Sequence, residues 1–122
     1  MYWCGLGEAI MKQILAVVAT LAGTYPAMAQ NVIPPVKFDF LYRGRLVIDR
    51  SSSQDEIKRR CPPTTFPYHL GCGGPQPGGW CHILMADDET IRKYGWTPEI
   101  VLRHEMGHCN GWTLDHKGTR KP

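Results

Sequence analysis

Residues 36–42, VKFDFLY, place Val36, Phe38, Phe40 and Tyr42 on one face, the period-two alternation of a half-buried strand. Arg43 and Gly44 offer a turn and residues 46–48 resume as a second strand, so a hairpin is predicted. Ser51 to Ser53 supply capping hydroxyls for a polar helix over 54–60, which must stop before Pro62 and Pro63. From 61 to 80 half of the positions are glycine or proline, which predicts irregular loop. Order resumes with a short strand over 81–86, CHILMA, and Asp87 or Asp88 can cap a helix over 89–94 that Gly95 closes. Thr97, Pro98 and Glu99 open the next helix: a capping hydroxyl, proline at the first helical position, then an acid at the positive dipole end. It runs through His104 to His108, with Gly111 as its stop. Residues 117–122 read as a basic, solvated tail.

The N-terminus has a different pattern. Lys12 precedes a short apolar run over 14–22, and Ala27-Met28-Ala29 places small residues where a signal peptidase cuts. The run is about half the roughly 20 residues a membrane span requires. We therefore expect a signal peptide over 1–29, with Met11 an alternative start, and one domain over 30–122 carrying the loop 61–80 and the tail 117–122. Export implies a periplasmic or secreted protein with no stable membrane insertion after cleavage. Cleavage also changes the cysteine arithmetic. Five cysteines become four when Cys4 leaves with the leader, and Cys61, Cys72, Cys81 and Cys109 suit two disulfides in an oxidising compartment. Three pairings are open. The one favoured joins Cys72 to Cys81 across the glycine-rich loop and Cys61 to Cys109. A net charge of +3 is too small to argue for a nucleic-acid partner.

The chemistry lies in the last helix, which contains His104-Glu105-Met106-Gly107-His108, an HExxH. Histidines at i and i+4 share one helix face, so both imidazoles can reach one metal ion. Glu105 is rotated about 100° from His104, beside the metal rather than on it, where it can take a proton from water as general base. A catalytic zinc needs a third protein ligand and an open fourth position. His69 and His82 read as surface or loop histidines. Trp112 reads as packing beneath the site, and Gly107 as a point of close helix–strand approach.

The run HEMGHCNGWTLDH over 104–116 resembles the zincin metallopeptidases, and within them the metzincin-like pattern HExxHxxGxxH or HExxHxxGxxD. Gly111 stands at the glycine that turns the chain back under the metal. The resemblance implies a third ligand three residues later, but that position is Leu114, with Asp115 and His116 following. A lengthened turn would deliver His116, our expected ligand, with Asp115 the alternative. No methionine follows Met106, so the methionine turn of metzincins is absent, and the likeness covers about residues 81–116. The implied fold is α+β: a minimal zincin-like domain with a small antiparallel or mixed sheet packed on the HExxH helix and stapled by disulfides. Strand 81–86 would be the edge strand that pairs with an extended peptide substrate. The implied function is a small secreted zinc metallopeptidase, with Zn2+ on His104, His108 and His116 and catalysis by Glu105. The alternative is a zincin-fold zinc-binding protein with little or no peptidase activity.

Overall fold

The computed structural model describes residues 32–122; the leader expected over 1–29 and the start at Met11 lie outside them. The chain forms a 3-10 turn at Val36–Phe38, strand β1 (Arg45–Ser51), helix α1 (Gln54–Arg60), strands β2 (Gly71–Gln76) and β3 (Trp80–Ala86), and helices α2 (Asp88–Lys93) and α3 (Pro98–Cys109). The architecture is α+β around a three-stranded mixed sheet of order β1-β3-β2. Among the described residues no helix is long and apolar enough to cross a membrane.

All three helices start on side chains that capture an otherwise unpaired backbone N–H. Ser53 accepts from the Glu56 N–H, the Asp87 carboxylate from Thr90 and the Thr97 hydroxyl from Ile100. Helix α3 has proline in its first turn and ends at Asn110, after which Gly111 takes φ +102°. That value lies in the left-handed region where glycine has no steric penalty.

The predicted hairpin does not form. Residues 46–48 lie in β1, but β1 pairs with β3 in parallel, Leu46 beside Cys81 and Ile48 beside Ile83. Parallel neighbours need a crossover, and α1 with the following loop provides it. Residues 36–42 have no sheet to alternate against. Val36 is 73% and Leu41 79% exposed, and the Asn110 side chain holds this segment to the end of α3 by donating to the Phe38 and Phe40 carbonyls.

The loop expected over 61–80 hides a strand. β2 is antiparallel to β3, with Gly71 beside Met85 and Gly73 beside Ile83. Its glycines allow α3 to lie close, since a Cβ on Gly73 would stand 3.2 Å from the Glu105 carbonyl oxygen. The strand at 81–86 is therefore central, and the edge beside α3 is β2, contrary to the sequence-based expectation.

Alternation along β3 sends Cys81, Ile83 and Met85 to the α3 face and His82, Leu84 and Ala86 to the α1 face. The disulfides follow these faces: Cys81 joins Cys109 of α3, and Cys72 joins Cys61 at the end of α1. This overturns the expected pairing. Cys72 stands opposite Leu84, and Cys81 opposite Pro75, so the two thiols leave the sheet on opposite sides. Ile57, Ile83, Leu84, Met85, Ile91 and Trp96 fill the core.

The tail is anchored rather than loose. Arg120 forms an isolated antiparallel bridge with Ile33, which brings the start and the end of the described chain together.

Candidate metal centre

Helix α3 places His104 and His108 one turn apart, both directed into a groove of about 970 Å³ floored by β2. Past Gly111, the His116 N–H donates to the Thr113 carbonyl at 3.1 Å, closing a turn two residues longer than the zincin pattern requires. His116 sits at φ +55°, the left-handed region that non-glycine residues enter only where surroundings hold them there. The added length returns its imidazole to the other two. His116 Nε2 is 3.1 Å from His104 Nε2 and 3.1 Å from His108 Nε2.

The opposite ring nitrogens are already committed. His104 Nδ1–H donates to the Val32 carbonyl at 2.7 Å, and His108 Nδ1–H donates to the Trp112 carbonyl at 2.8 Å. A neutral imidazole carries one proton, so these bonds leave both Nε2 atoms as lone-pair acceptors. Burial, partly offset by the bond to the Val32 carbonyl, pulls the His104 pKa down to about 4. Burial also lowers those of His108 and His116. Of the three facing Nε2 atoms only that of His116 can carry a proton, so one shared proton at most is available, whereas a cation among them satisfies all three. The spacing agrees: nitrogens about 2.0–2.1 Å from a tetrahedral ion stand about 3.3 Å apart. These three residues could hold a metal ion, their ligand atoms all lying within 4.8 Å of one another.

Asp115 is not brought into this cluster. Its carboxylate accepts from the Thr113 hydroxyl and the Lys117 N–H, which hold its pKa below the usual carboxylate range. Trp112 is buried and stacks on the His108 ring at 4.8 Å between centroids, while its indole N–H donates to the Lys117 carbonyl. His82 lies apart, bonded to Asp49 at 2.6 Å, and the backbone of His69 bonds the Gln54 side chain. Gly107 meets Pro34 rather than a strand: a Cβ there would stand 2.5 Å from the proline ring.

Glu105 is 5% exposed and lines the same groove. Burial alone pushes its pKa up to about 8. Beside it runs the free edge of β2. The Ala86 N–H bonds the Leu70 carbonyl, so by antiparallel alternation the main-chain groups of Gly71 and Gly73 point away from β3. Tyr68 and Trp96 form a wall of the groove, joined by the Trp96 indole N–H donating to the Tyr68 hydroxyl at 2.9 Å.

His104, Glu105 and His108, expected from their spacing, and His116, expected through a lengthened turn, all line this groove. Sequence reasoning misses the Val32 and Trp112 carbonyls, because a main-chain oxygen leaves no mark in residue identity. The β2 glycines carry a faint signal in Gly71 and Gly73, whose spacing of two suits one bare strand face. No protein-family model, curated protein or solved structure matches this chain.

Proposed function

We propose that the chain is a small exported zinc metallopeptidase with His104, His108 and His116 as ligands and Glu105 as general base. The observation that carries this reading is the convergence of three neutral imidazole Nε2 atoms in one groove with a buried glutamate. The donor set suits zinc, which takes imidazole nitrogen readily and leaves a fourth position open in catalytic sites. A zinc ion held by these residues would lower the pKa of water to near neutrality and polarise the carbonyl under attack.

The chain's own residues do the rest. Glu105, buried in the groove beside the histidines, would take the proton from the attacking water and pass it to the leaving amine. Among the described residues no group hydrogen-bonds its carboxyl, which leaves it free for substrate chemistry. The Gly71 and Gly73 main chain can add an extended peptide as a further strand. Two disulfides support an oxidising, exported setting.

The test is Glu105→Gln measured on a broad peptide library together with zinc stoichiometry. The substitution should lower kcat by about 10²–10⁴-fold with one zinc per chain retained, whereas His104→Ala should lose the zinc. A wild-type protein that binds zinc but cleaves no peptide would replace the peptidase reading with that of a zinc-binding protein.

A further inference from the structure

The three histidines are not oriented in the same way. His108 is fixed locally, by the carbonyl of Trp112 four residues on. His104 is fixed by Val32, 72 residues away. Nothing in α3 itself decides which nitrogen of His104 faces the groove, so that choice depends on what holds Val32.

Arg120 holds it. Its carbonyl accepts from the Val32 N–H at 3.0 Å and the Ile33 N–H at 2.9 Å, and its own N–H donates to the Ile33 carbonyl at 2.8 Å. The guanidinium donates through Nε to the Pro34 carbonyl at 2.8 Å and through one terminal nitrogen to the Asp39 carboxylate at 2.6 Å. Asp39 in turn accepts a two-pronged contact from Arg103, the residue before His104 in α3. The connections close a ring: α3 through Arg103 to Asp39, to Arg120, to Val32, and back to α3 through His104. Pro34, seated on Gly107, fixes the same segment from below.

We propose that Arg120 is a positioning residue of the metal centre, holding the Val32 carbonyl on His104 Nδ1 so that Nε2 remains the free ligating nitrogen. A planar guanidinium suits this task because its donors are fixed in a fork, and lysine cannot reach two acceptors in that geometry. Outer partners of this kind, which set ring orientation and tautomer, are worth roughly 10–100-fold in metal affinity. The affinity half of the inference rests on the three histidines being metal ligands. The tautomer half does not.

The experiment compares the full chain with Arg120→Ala, Arg120→Lys and Asp39→Asn, using two measurements. Long-range proton–nitrogen NMR of the metal-free protein reads the tautomer of each histidine, and competition with a chelator of known affinity reads the zinc Kd. In the wild type His104 should be a single Nδ1–H tautomer. Arg120→Ala should mix its tautomers and weaken zinc roughly 10–100-fold, while His108 keeps its tautomer. Arg120→Lys should recover part of both effects. Asp39→Asn should act in the same direction and more weakly, and it decides the matter if Arg120→Ala does not fold. A His104 tautomer and zinc Kd unchanged in Arg120→Ala would overturn the proposal. So would equal loss of order at His104 and His108 with a matching fall in Tm, the mark of a purely structural role. A wild-type protein that bound no zinc would sink the metallopeptidase reading, and the tautomer measurement would still decide the role of Arg120.

Discussion

The two faces of the sheet use the same device for opposite ends. On each, a helix is tied at its C-terminal end to a strand by one disulfide, Cys61–Cys72 on the α1 face and Cys81–Cys109 on the α3 face. Each helix also carries a glutamate near the sheet. Glu56 of α1 accepts from the Ser51 hydroxyl and pairs with Arg60, and these contacts hold its pKa below the usual range. Glu105 of α3 has no such partner among the described residues, and burial drives its pKa the other way, to about 8. The α1 face satisfies its charges and serves stability. The α3 face keeps a buried carboxyl with no hydrogen-bond partner among the described residues and gathers three imidazoles that could hold a metal ion. Buried ionisable groups without partners are costly, and a small domain tolerates them where function requires them.

The largest expected effect separates the two staples. Replacing Cys81 and Cys109 by alanine should cost about 3–4 kcal/mol of unfolding free energy, and replacing Cys61 and Cys72 about 1 kcal/mol less. The difference follows from loop closure over sequence separations of 28 and 11 residues. Urea unfolding of the two double variants measures it, and equal losses would show that chain entropy is not what distinguishes the faces. A smaller effect comes from β2 alone. Gly71 faces α3, and a Cβ there would stand 2.6 Å from the Leu84 carbonyl oxygen, whereas a Cβ on Gly74 meets nothing within 4 Å. Gly71→Ala should cost about 1–3 kcal/mol and Gly74→Ala should change stability by no more than about 1 kcal/mol. Parallel thermal melts test this contrast, which fails if the two alanines behave alike.

The smallest effect is in acid. Since the folded pKa of Glu56 lies below its ordinary value of 4.5, its stabilising contribution is complete above that value. It is lost as pH falls through the lowered folded value. Glu56→Gln should therefore lower Tm slightly near neutrality, leave it unchanged in strong acid, and so flatten the decline on the acid side. A Tm profile for the variant that tracks the wild type through the acid range would remove Glu56 from the account.

What the sequence makes legible is what local chemistry decides. Thr97, Pro98 and Glu99 announce α3, and Ser53 announces α1, because a cap and the helix it starts are neighbours in the chain. The HExxH is legible for the same reason: one helical turn sets the distance between its histidines. The parallel pairing of β1 with β3 depends on a crossover, and period-two alternation cannot tell a hairpin from a parallel partner. β2 escapes notice because four of its six residues, GCGGPQ, are glycine or proline, so its identity as a strand lies in backbone pairing with β3. The disulfide pairing follows from which face each thiol takes, which needs the register. His116 is half-legible, as its identity marks it as a candidate ligand while its delivery depends on the turn at Thr113.

The bridge between Ile33 and Arg120 has a practical side. It puts both ends of the described chain at one corner of the domain, against His104. Val32, the first described residue, is itself within a hydrogen bond of that histidine. A fusion partner joined directly to Val32, or just after Arg120, would start at that same corner and belongs off the protein before its metal content is measured.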